Sequence, residues 1–160
     1  MSNIPQPEEK APSFTIDNQH GEPVSLKDFQ GKWLVLYFYP KDNTPGCTTE
    51  AQDFSTYKQE FADLNTEILG VSTDSEESHR KFIDKRNLSI NLLSDRNHEV
   101  ADIYRVWRLK KFMGKEYMGI ERSTFLIKPD QTIAHSWFKV RTKGHAEAVL
   151  NKLKDLKVDE

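Results

Sequence analysis

The sequence predicts one α/β domain in which a central mixed β-sheet is flanked by helices. Residues 33–39, Trp-Leu-Val-Leu-Tyr-Phe-Tyr, are apolar without alternation, the pattern of a central strand that is buried on both faces. Predicted strands and helices then alternate along the chain, which favours a sheet that is mostly parallel at its centre. Two strands at 123–127 and 133–138, joined by Lys-Pro-Asp-Gln, add a hairpin at one edge.

Before the central strand, the sequence predicts a lead-in followed by an N-terminal β-hairpin extension. Residues 1–10 carry two prolines and few apolar side chains, so we expect an extended segment outside the core. Residues 13–17 alternate as a short strand, residues 18–21 have turn chemistry, and residues 23–25 can return as the second strand. Leu26–Phe29 fits one helical turn.

A helix that carries the only cysteine is predicted after the central strand. Its apolar face is given by spacings of three and four residues. The residues on that face are Cys47, Ala51, Phe54, Lys58 and Phe61. The cysteine therefore lies in the first turn of this helix.

The second half of the chain continues the alternation. A strand over 67–73 precedes a helix that opens at Ser75-Glu-Glu-Ser, with acidic residues in its first turn. A short strand over 90–93 and a short helix over 99–104 follow. A C-terminal amphipathic helix is predicted from one apolar face that comprises Ala146, Val149, Leu150, Leu153 and Leu156.

Length and charge limit the class of protein. The chain has 160 residues and a formal charge of -2, so its overall charge gives no reason to expect nucleic acid or an anionic membrane as a partner. One domain is predicted over residues 11–156, with residues 157–160 as a tail. Residues 1–10 lack the basic and apolar stretches of a secretory signal, so we expect a cytoplasmic protein in a reducing environment.

The single cysteine excludes a disulfide within the chain and any zinc site that needs two cysteines. It leaves a reactive thiol open, because the amides and the dipole at a helix N-terminus favour the thiolate form. Thr44 lies one turn before Cys47, and Gly46 lets a small ligand approach the backbone closely. A buried structural cysteine is the alternative interpretation of these residues alone.

The segment around the cysteine reads Tyr37-Phe-Tyr-Pro-Lys-Asp-Asn-Thr-Pro-Gly-Cys-Thr-Thr-Glu-Ala51. It resembles the active-site segment of the peroxiredoxins, specifically the bacterioferritin-comigratory or peroxiredoxin Q subfamily. Further segments resemble that subfamily in the same order, over roughly residues 10–155. They are Ala11-Pro-Ser-Phe, Phe29-Gln-Gly-Lys, Leu69-Gly-Val-Ser, Phe112-Met-Gly-Lys and Arg122-Ser-Thr-Phe-Leu-Ile127.

The resemblance implies a thioredoxin-like fold and an antioxidant thiol peroxidase that reduces hydrogen peroxide and organic hydroperoxides to water and alcohols. By the family pattern, Cys47 attacks the peroxide and passes through a sulfenic acid. Thr44 would bond the sulfur and the peroxide, and Arg122 would stabilise the thiolate and polarise the O–O bond. Pro40 would shield the pocket, and Glu50 would position the arginine.

The resemblance implies no prosthetic cofactor, and the sequence itself gives no sign of a metal. The five histidines show none of the short spacings of a metal site, and no phosphate-binding glycine loop is present. We therefore expect neither a metal nor a nucleotide.

The sequence departs from the family pattern at Gln52, where many members carry a second, resolving cysteine. The sulfenic acid on Cys47 must therefore be reduced by an external thiol such as thioredoxin, glutaredoxin or glutathione, or by Cys47 of a second subunit. We expect a monomer, with a dimer as the alternative. The competing function is a thioredoxin-fold interaction or redox-sensing module without efficient turnover.

Residues 105–115 concentrate five cations among Trp107, Phe112 and Met113. We expect a solvated loop over the rim of the pocket, and a docking surface for an anionic reductant or a partner subunit is the alternative. The helix over 76–86 is expected to present a solvated face and nothing more.

Overall fold

The computed structural model describes residues 3–158, in which nine β-strands and five α-helices form. The strands are β1 (Thr15–Asn18), β2 (Pro23–Ser25), β3 (Trp33–Phe38), β4 (Thr66–Ser72), β5 (Asn91–Ser94), β6 (Trp107–Phe112), β7 (Lys115–Ile120), β8 (Ser123–Ile127) and β9 (Ile133–Phe138). The helices are α1 (Pro45–Thr56), α2 (Lys58–Asp63), α3 (Glu76–Arg86), α4 (Glu99–Ile103) and α5 (His145–Val158), and a 3-10 turn covers Leu26–Phe29. Most ends differ from the predicted ones by one or two residues, as frayed ends do.

Seven strands form one mixed sheet in the order β2-β1-β5-β4-β3-β8-β9. Strand β3 pairs in parallel with β4 and antiparallel with β8, and β4 pairs in parallel with β5. All six residues of β3 are buried, which explains why the strand lacks polar alternation. The α/β prediction is confirmed, with β1–β2 joined to the sheet at one edge and β8–β9 forming the other.

The two faces of the sheet carry separate apolar clusters, because side chains alternate along β3. Val35, Tyr37 and Tyr39 pack with α1, α2, α3 and α5 on one face. Leu34, Leu36 and Phe38 pack with α4 and the N-terminal segment on the other. The helix that carries Cys47 therefore belongs to the first face.

Several expectations are wrong in the structure. Residues 105–115 were expected as a solvated loop, but most of them belong to the separate hairpin β6–β7. The helix predicted through Phe61 is interrupted at Tyr57, so that α1 and α2 are distinct. The lead-in contributes to the core, because Ile4 is buried in the second cluster. Ile4 is one of the few apolar residues of this segment, and its burial removes that side chain from water.

The tail expected over residues 157–160 is partly helical, since α5 continues through Val158. Residues 159 and 160 lie outside the described part of the chain. Among the helices of residues 3–158, none combines the length and the apolar character that a membrane span requires.

Candidate active site

Cys47 lies in the first turn of α1, as predicted, and is buried, with 1% of its surface exposed. Thr44 is the N-cap residue, Pro45 occupies the first helical position, and the Thr48 amide donates to the Thr44 carbonyl over 2.8 Å. Proline suits this position because the first helical amides have no intrahelical acceptor. The sulfur therefore lies close to the positive end of the helix dipole.

Arg122, just before β8, connects the sulfur to a buried carboxylate. Its Nη2 donates to Cys47 Sγ over 3.3 Å, and its Nη1 donates to Glu50 Oε1 over 2.7 Å. The Glu50 side chain is fully buried, and the Arg122 side chain is 15% exposed. The sheet places a cation and a thiol from residues 75 positions apart within bonding distance. The structure thus brings together three of the five predicted site residues.

Burial and the ion pair with Arg122 shift the pKa of Glu50 in opposite directions. Burial raises the pKa of Glu50 to about 7, although Arg122 acts to lower it. Its second oxygen, Oε2, has no hydrogen-bond partner among the described residues. Burial acts to lower the pKa of Arg122, but Glu50 and Cys47 outweigh it and raise that pKa. Arg122 is therefore a permanent cation beside the sulfur.

The other two predicted residues, Thr44 and Pro40, precede Cys47 in the loop, and their described contacts do not include its sulfur. The Thr44 hydroxyl donates to the Lys41 carbonyl over 2.9 Å, so its proton is committed to the loop and its oxygen is left as an acceptor. Pro40 is half-buried at the end of the β3 ladder. Their roles toward the peroxide stay predictions.

Gly46 is the point where the backbone beside Cys47 approaches the arginine. A Cβ atom at this position would lie 3.3 Å from Arg122 Nη2 and 3.7 Å from the methyl group of Thr142. A side chain here would press on the guanidinium that bonds the sulfur. This contact gives a steric reason for glycine here, and the approach of a small ligand to its backbone stays a prediction.

A buried network, which the sequence analysis missed, holds the loop before α1. Asp42 Oδ1 accepts from the Tyr39 hydroxyl over 2.6 Å, and its Oδ2 accepts from the Ser78 hydroxyl over 2.8 Å. His79 Nδ1 lies 2.7 Å from the same Oδ2. The expectation that the helix over 76–86 is only a solvated face is therefore wrong, because His79 is fully buried. The spacing of Asp42 and His79 along the chain gives no signal of this contact.

His79 also connects the loop to the sheet. Its Nε2 lies 2.9 Å from the Leu93 carbonyl oxygen in β5. Because a carbonyl oxygen can only accept, Nε2 must carry a proton. The contact between Nδ1 and the Asp42 carboxyl then requires a second proton, on one partner or the other. The loop is thus fixed by hydrogen bonds at both nitrogens of one buried ring.

A second buried histidine supports the far side of α1. His145 Nε2 lies 2.8 Å from the Thr124 hydroxyl, and its ring meets that of Phe54 edge to face at 6.1 Å. Burial lowers the pKa of His145 to about 4, and the positive charge of Arg122 acts in the same direction. His145 is therefore neutral at pH 7 and serves packing.

A single thiol at a helix start, beside a buried guanidinium and on a thioredoxin-like mixed sheet, defines a thiol-based oxidoreductase. A family model described as the AhpC/TSA family matches residues 7–136. The chain therefore belongs to the AhpC/TSA family, and its resemblance to the Bcp or peroxiredoxin Q group is confirmed by the comparisons that follow.

Relatives and solved structures agree over nearly the whole chain. Peroxiredoxin Bcp of Bacillus subtilis (strain 168) is 53% identical over 148 residues, which cover 92% of this chain and 94% of the relative. Peroxiredoxin Bcp of Escherichia coli (strain K12) is 43% identical over 145 residues, with coverage of 91% and 93%. A crystal structure of a PrxQ mutant from Xylella fastidiosa superposes with a TM-score of 0.92 at 38% identity, covering 98% of this chain and 99% of that one.

A further solved structure concerns the chemistry. The bacterioferritin comigratory protein of Xanthomonas campestris, described for its alkyl peroxide reduction activity, matches with a TM-score of 0.85 at 42% identity. The match covers 89% of this chain and 90% of that chain.

Proposed function

We propose that this chain, a thiol-dependent peroxidase, reduces hydrogen peroxide and organic hydroperoxides by attack of the Cys47 thiolate. The observation that carries the proposal is the 3.3 Å bond from Arg122 Nη2 to Cys47 Sγ at the start of α1. A cation and a helix N-terminus favour the charged, nucleophilic form of a thiol. The Xanthomonas relative described for alkyl peroxide reduction supports the inclusion of organic hydroperoxides.

In the first half-reaction, the sulfur anion attacks one peroxide oxygen and the O–O bond breaks. The sulfur becomes a sulfenic acid, and the departing oxygen takes up a proton to leave as water or an alcohol. Arg122 donates hydrogen bonds to the charge that moves from sulfur to the departing oxygen. Glu50 fixes the orientation of the guanidinium through its 2.7 Å bond. Glu50 is thus a positioning residue.

Thr44 and Pro40 orient and shelter the peroxide in this scheme. The Thr44 hydroxyl already donates to Lys41, so its oxygen is available to accept the peroxide O–H. Pro40 offers no amide hydrogen and restricts water at the mouth of the site. Both are close to Cys47 along the loop that the buried network holds.

The second half-reaction needs an external thiol, because the chain has one cysteine and Gln52 replaces the resolving residue. A reductant thiol displaces water from the sulfenic acid and forms a mixed disulfide, which a second thiol then reduces. Since Cys47 is 1% exposed, the first turn of α1 must open for this step. Thioredoxin, glutaredoxin and glutathione are the candidate reductants, in a cytoplasmic monomer that binds no nucleic acid.

The competing function is a redox-sensing or interaction module that becomes oxidised but does not turn over. It is favoured by the lack of a second cysteine. A peroxide-consumption assay with thioredoxin, glutaredoxin or glutathione separates the two, because only the peroxidase consumes peroxide in excess of the protein.

The test compares the wild type with Cys47→Ser. We expect catalytic peroxide consumption and a mass increase of one oxygen atom at Cys47 in the wild type, and neither in the variant. Residual consumption by Cys47→Ser would contradict the mechanism. Oxidation of Cys47 without consumption in excess of the protein would favour the sensor.

A further inference from the structure

The hairpin β6–β7 is an exposed, two-stranded projection from the domain. It makes its own sheet and does not pair with the seven-stranded one. Its base is fixed, since Val106 and Ile120 are buried and Trp107 stacks on His98 with ring centroids 4.1 Å apart. Its outer half carries large apolar side chains that are between 47% and 87% exposed. These are Leu109, Phe112, Met113, Tyr117 and Met118.

Cations lie along the hairpin and beside its base. We call residues 105–121 and 139–143 the basic face. It contains eight Lys and Arg residues and two Glu residues, a formal charge of +6 in a chain of -2, so the rest of the chain carries -8. The two segments adjoin, because the Arg108 guanidinium and the Lys139 ammonium lie 4.7 and 5.9 Å from the centroid of the Phe138 ring.

The basic face borders the reactive sulfur. Strand β7 ends at Ile120, two residues before Arg122, and the Val140 amide donates to the Arg122 carbonyl over 3.0 Å. Thr142 lies beside Gly46, next to Cys47. A molecule that reaches Cys47 past Arg122 therefore meets this face.

We propose that the basic face is the docking surface for an acidic protein thiol that reduces oxidised Cys47. The proposal rests on the peroxidase function proposed above. Six residues of strand carry the tip about 20 Å from the hairpin base, which is farther than a small thiol reacting at Cys47 can contact. An exposed apolar centre bordered by charges is the composition of a protein interface.

The charge selects among protein partners. Complementary charge accelerates encounter, and like charge suppresses it. A symmetric dimer through this face would bring two surfaces of +6 together. Within residues 3–158, no carboxylate forms an ion pair with Lys139, Arg141 or Lys143, and all three are exposed. These cations are available to an acidic partner.

In the docked complex, two thiols of the partner reduce the sulfenic acid of Cys47 without a further reactant. The partner thiol attacks the sulfenic sulfur of Cys47, a mixed disulfide forms, and water leaves. A second thiol of the partner then attacks the partner sulfur that is bonded to Cys47 in the mixed disulfide. Cys47 is released as a thiol, and the partner leaves as the oxidised disulfide.

The test separates the two half-reactions. The protein is oxidised with one equivalent of hydrogen peroxide and mixed with reduced thioredoxin, an acidic dithiol protein, or with the neutral dithiol dithiothreitol. The variant K139E/R141E/K143E reverses three charges of the basic face, and F112Q/M113Q removes the apolar tip. The control K10E/K27E/K154E makes the same charge change at exposed positions elsewhere on the chain.

At low salt we expect K139E/R141E/K143E to lower the second-order rate constant with thioredoxin about tenfold or more. The control should change it less than about twofold, and high salt should remove the difference. F112Q/M113Q should lower the rate at every salt concentration. Rates with dithiothreitol, and the rate of oxidation by peroxide, should be the same in all four proteins.

Equal rates with thioredoxin in the charge-reversed and control variants would overturn the proposal. So would reduction by thioredoxin no faster than by dithiothreitol, loss of a dimer in F112Q/M113Q, or binding of a single-stranded oligonucleotide that competes with thioredoxin. Failure of the wild type to react with peroxide would instead contradict the proposed function, and this first step is measured separately.

Discussion

The two sides of Arg122 differ in almost every physical respect. On the side of helix α1 lie Cys47 and Glu50, both buried and both hydrogen-bonded to the guanidinium. On the other side lies the hairpin β6–β7, which directly precedes Arg122 in the chain. Its outer half is exposed, and its two strands pair only with each other. Removing a hydrogen-bond partner of a buried polar group lowers the stability of the fold, whereas substitutions in an exposed hairpin have little effect on stability. Substitutions on the two sides should therefore differ sharply in their effects on stability and on the peroxide reaction.

The largest effect is expected at Asp42, on the buried side. Asp42→Ala removes the acceptor of the Tyr39 and Ser78 hydroxyls and leaves His79 without its carboxylate. Breaking a buried pair at one partner costs about 3–5 kcal/mol, which urea unfolding would measure. Lys41→Ala, at the exposed neighbouring position, is the control. A loss of less than about 1 kcal/mol would show that the network does not hold the loop.

Arg122→Ala should slow the reaction of Cys47 with peroxide by about 100-fold, equivalent to about 2.7 kcal/mol. The reason is the loss of the donor that lies 3.3 Å from the sulfur. Stopped-flow measurement of the peroxide step tests this, with Arg141→Ala as an exposed arginine control. We expect Arg122→Lys to recover part of the rate, since it restores charge without the paired donors. An unchanged rate in Arg122→Ala would remove this residue from the mechanism.

Glu50→Gln should change how stability depends on pH. Burial raises the pKa of Glu50 from 4.5 to about 7, so the folded protein holds this proton more tightly than the unfolded chain. That contribution is complete below pH 4.5 and is lost as the pH rises through 7. From pH 5 to pH 8, the wild type should lose about 2 kcal/mol relative to Glu50→Gln.

Urea unfolding of both proteins at the two pH values measures this difference. His145 acts in the opposite direction, because its pKa is lowered to about 4 and its stabilisation is lost as the pH falls. The comparison with Glu50→Gln cancels the contribution of His145. A difference that is constant with pH would contradict the assignment.

The smallest effect is expected at the tip of the hairpin. Phe112 is 66% exposed, so Phe112→Ala should change the free energy of unfolding by less than about 0.5 kcal/mol. The matched substitution Phe54→Ala, in a fully buried ring that stacks on Tyr37 at 4.7 Å, should cost about 3–5 kcal/mol. Thermal and urea unfolding test both. Comparable losses would show that the hairpin is part of the core.

Whether an element could be predicted from the sequence depends on how many of its faces are buried. Strand β3 was predictable because both of its faces are buried, and its residues are therefore apolar throughout. Hairpin β6–β7 was missed because neither face of its outer half is buried, so its sequence lacks hydrophobic alternation. The sequence offered only Gly114 as a turn signal. In the structure Met113 and Gly114 form a two-residue turn in which both have positive φ, as tight hairpins require.

The site was predictable only where residues are close in sequence or belong to a known motif. Cys47 and its helix start follow from local patterns, and Arg122 followed from the resemblance. The contact between Asp42 and His79 joins residues 37 positions apart through the packing of α3, which no local pattern encodes. The break at Tyr57 also lacks a glycine or proline that would mark it.

The pairing of β3 with β8 has a consequence for how this chain can change length. Phe38 pairs with Ser123 and Tyr37 with Thr124, so Arg122 points to the same face as Thr124, toward α1. Because side chains alternate, inserting one residue between Arg122 and Ser123 would turn the guanidinium to the opposite face. The same change at the Met113 and Gly114 turn would alter only the length of the projection. A change in length is therefore tolerated at the hairpin turn, whereas an inserted residue between Arg122 and β8 is excluded.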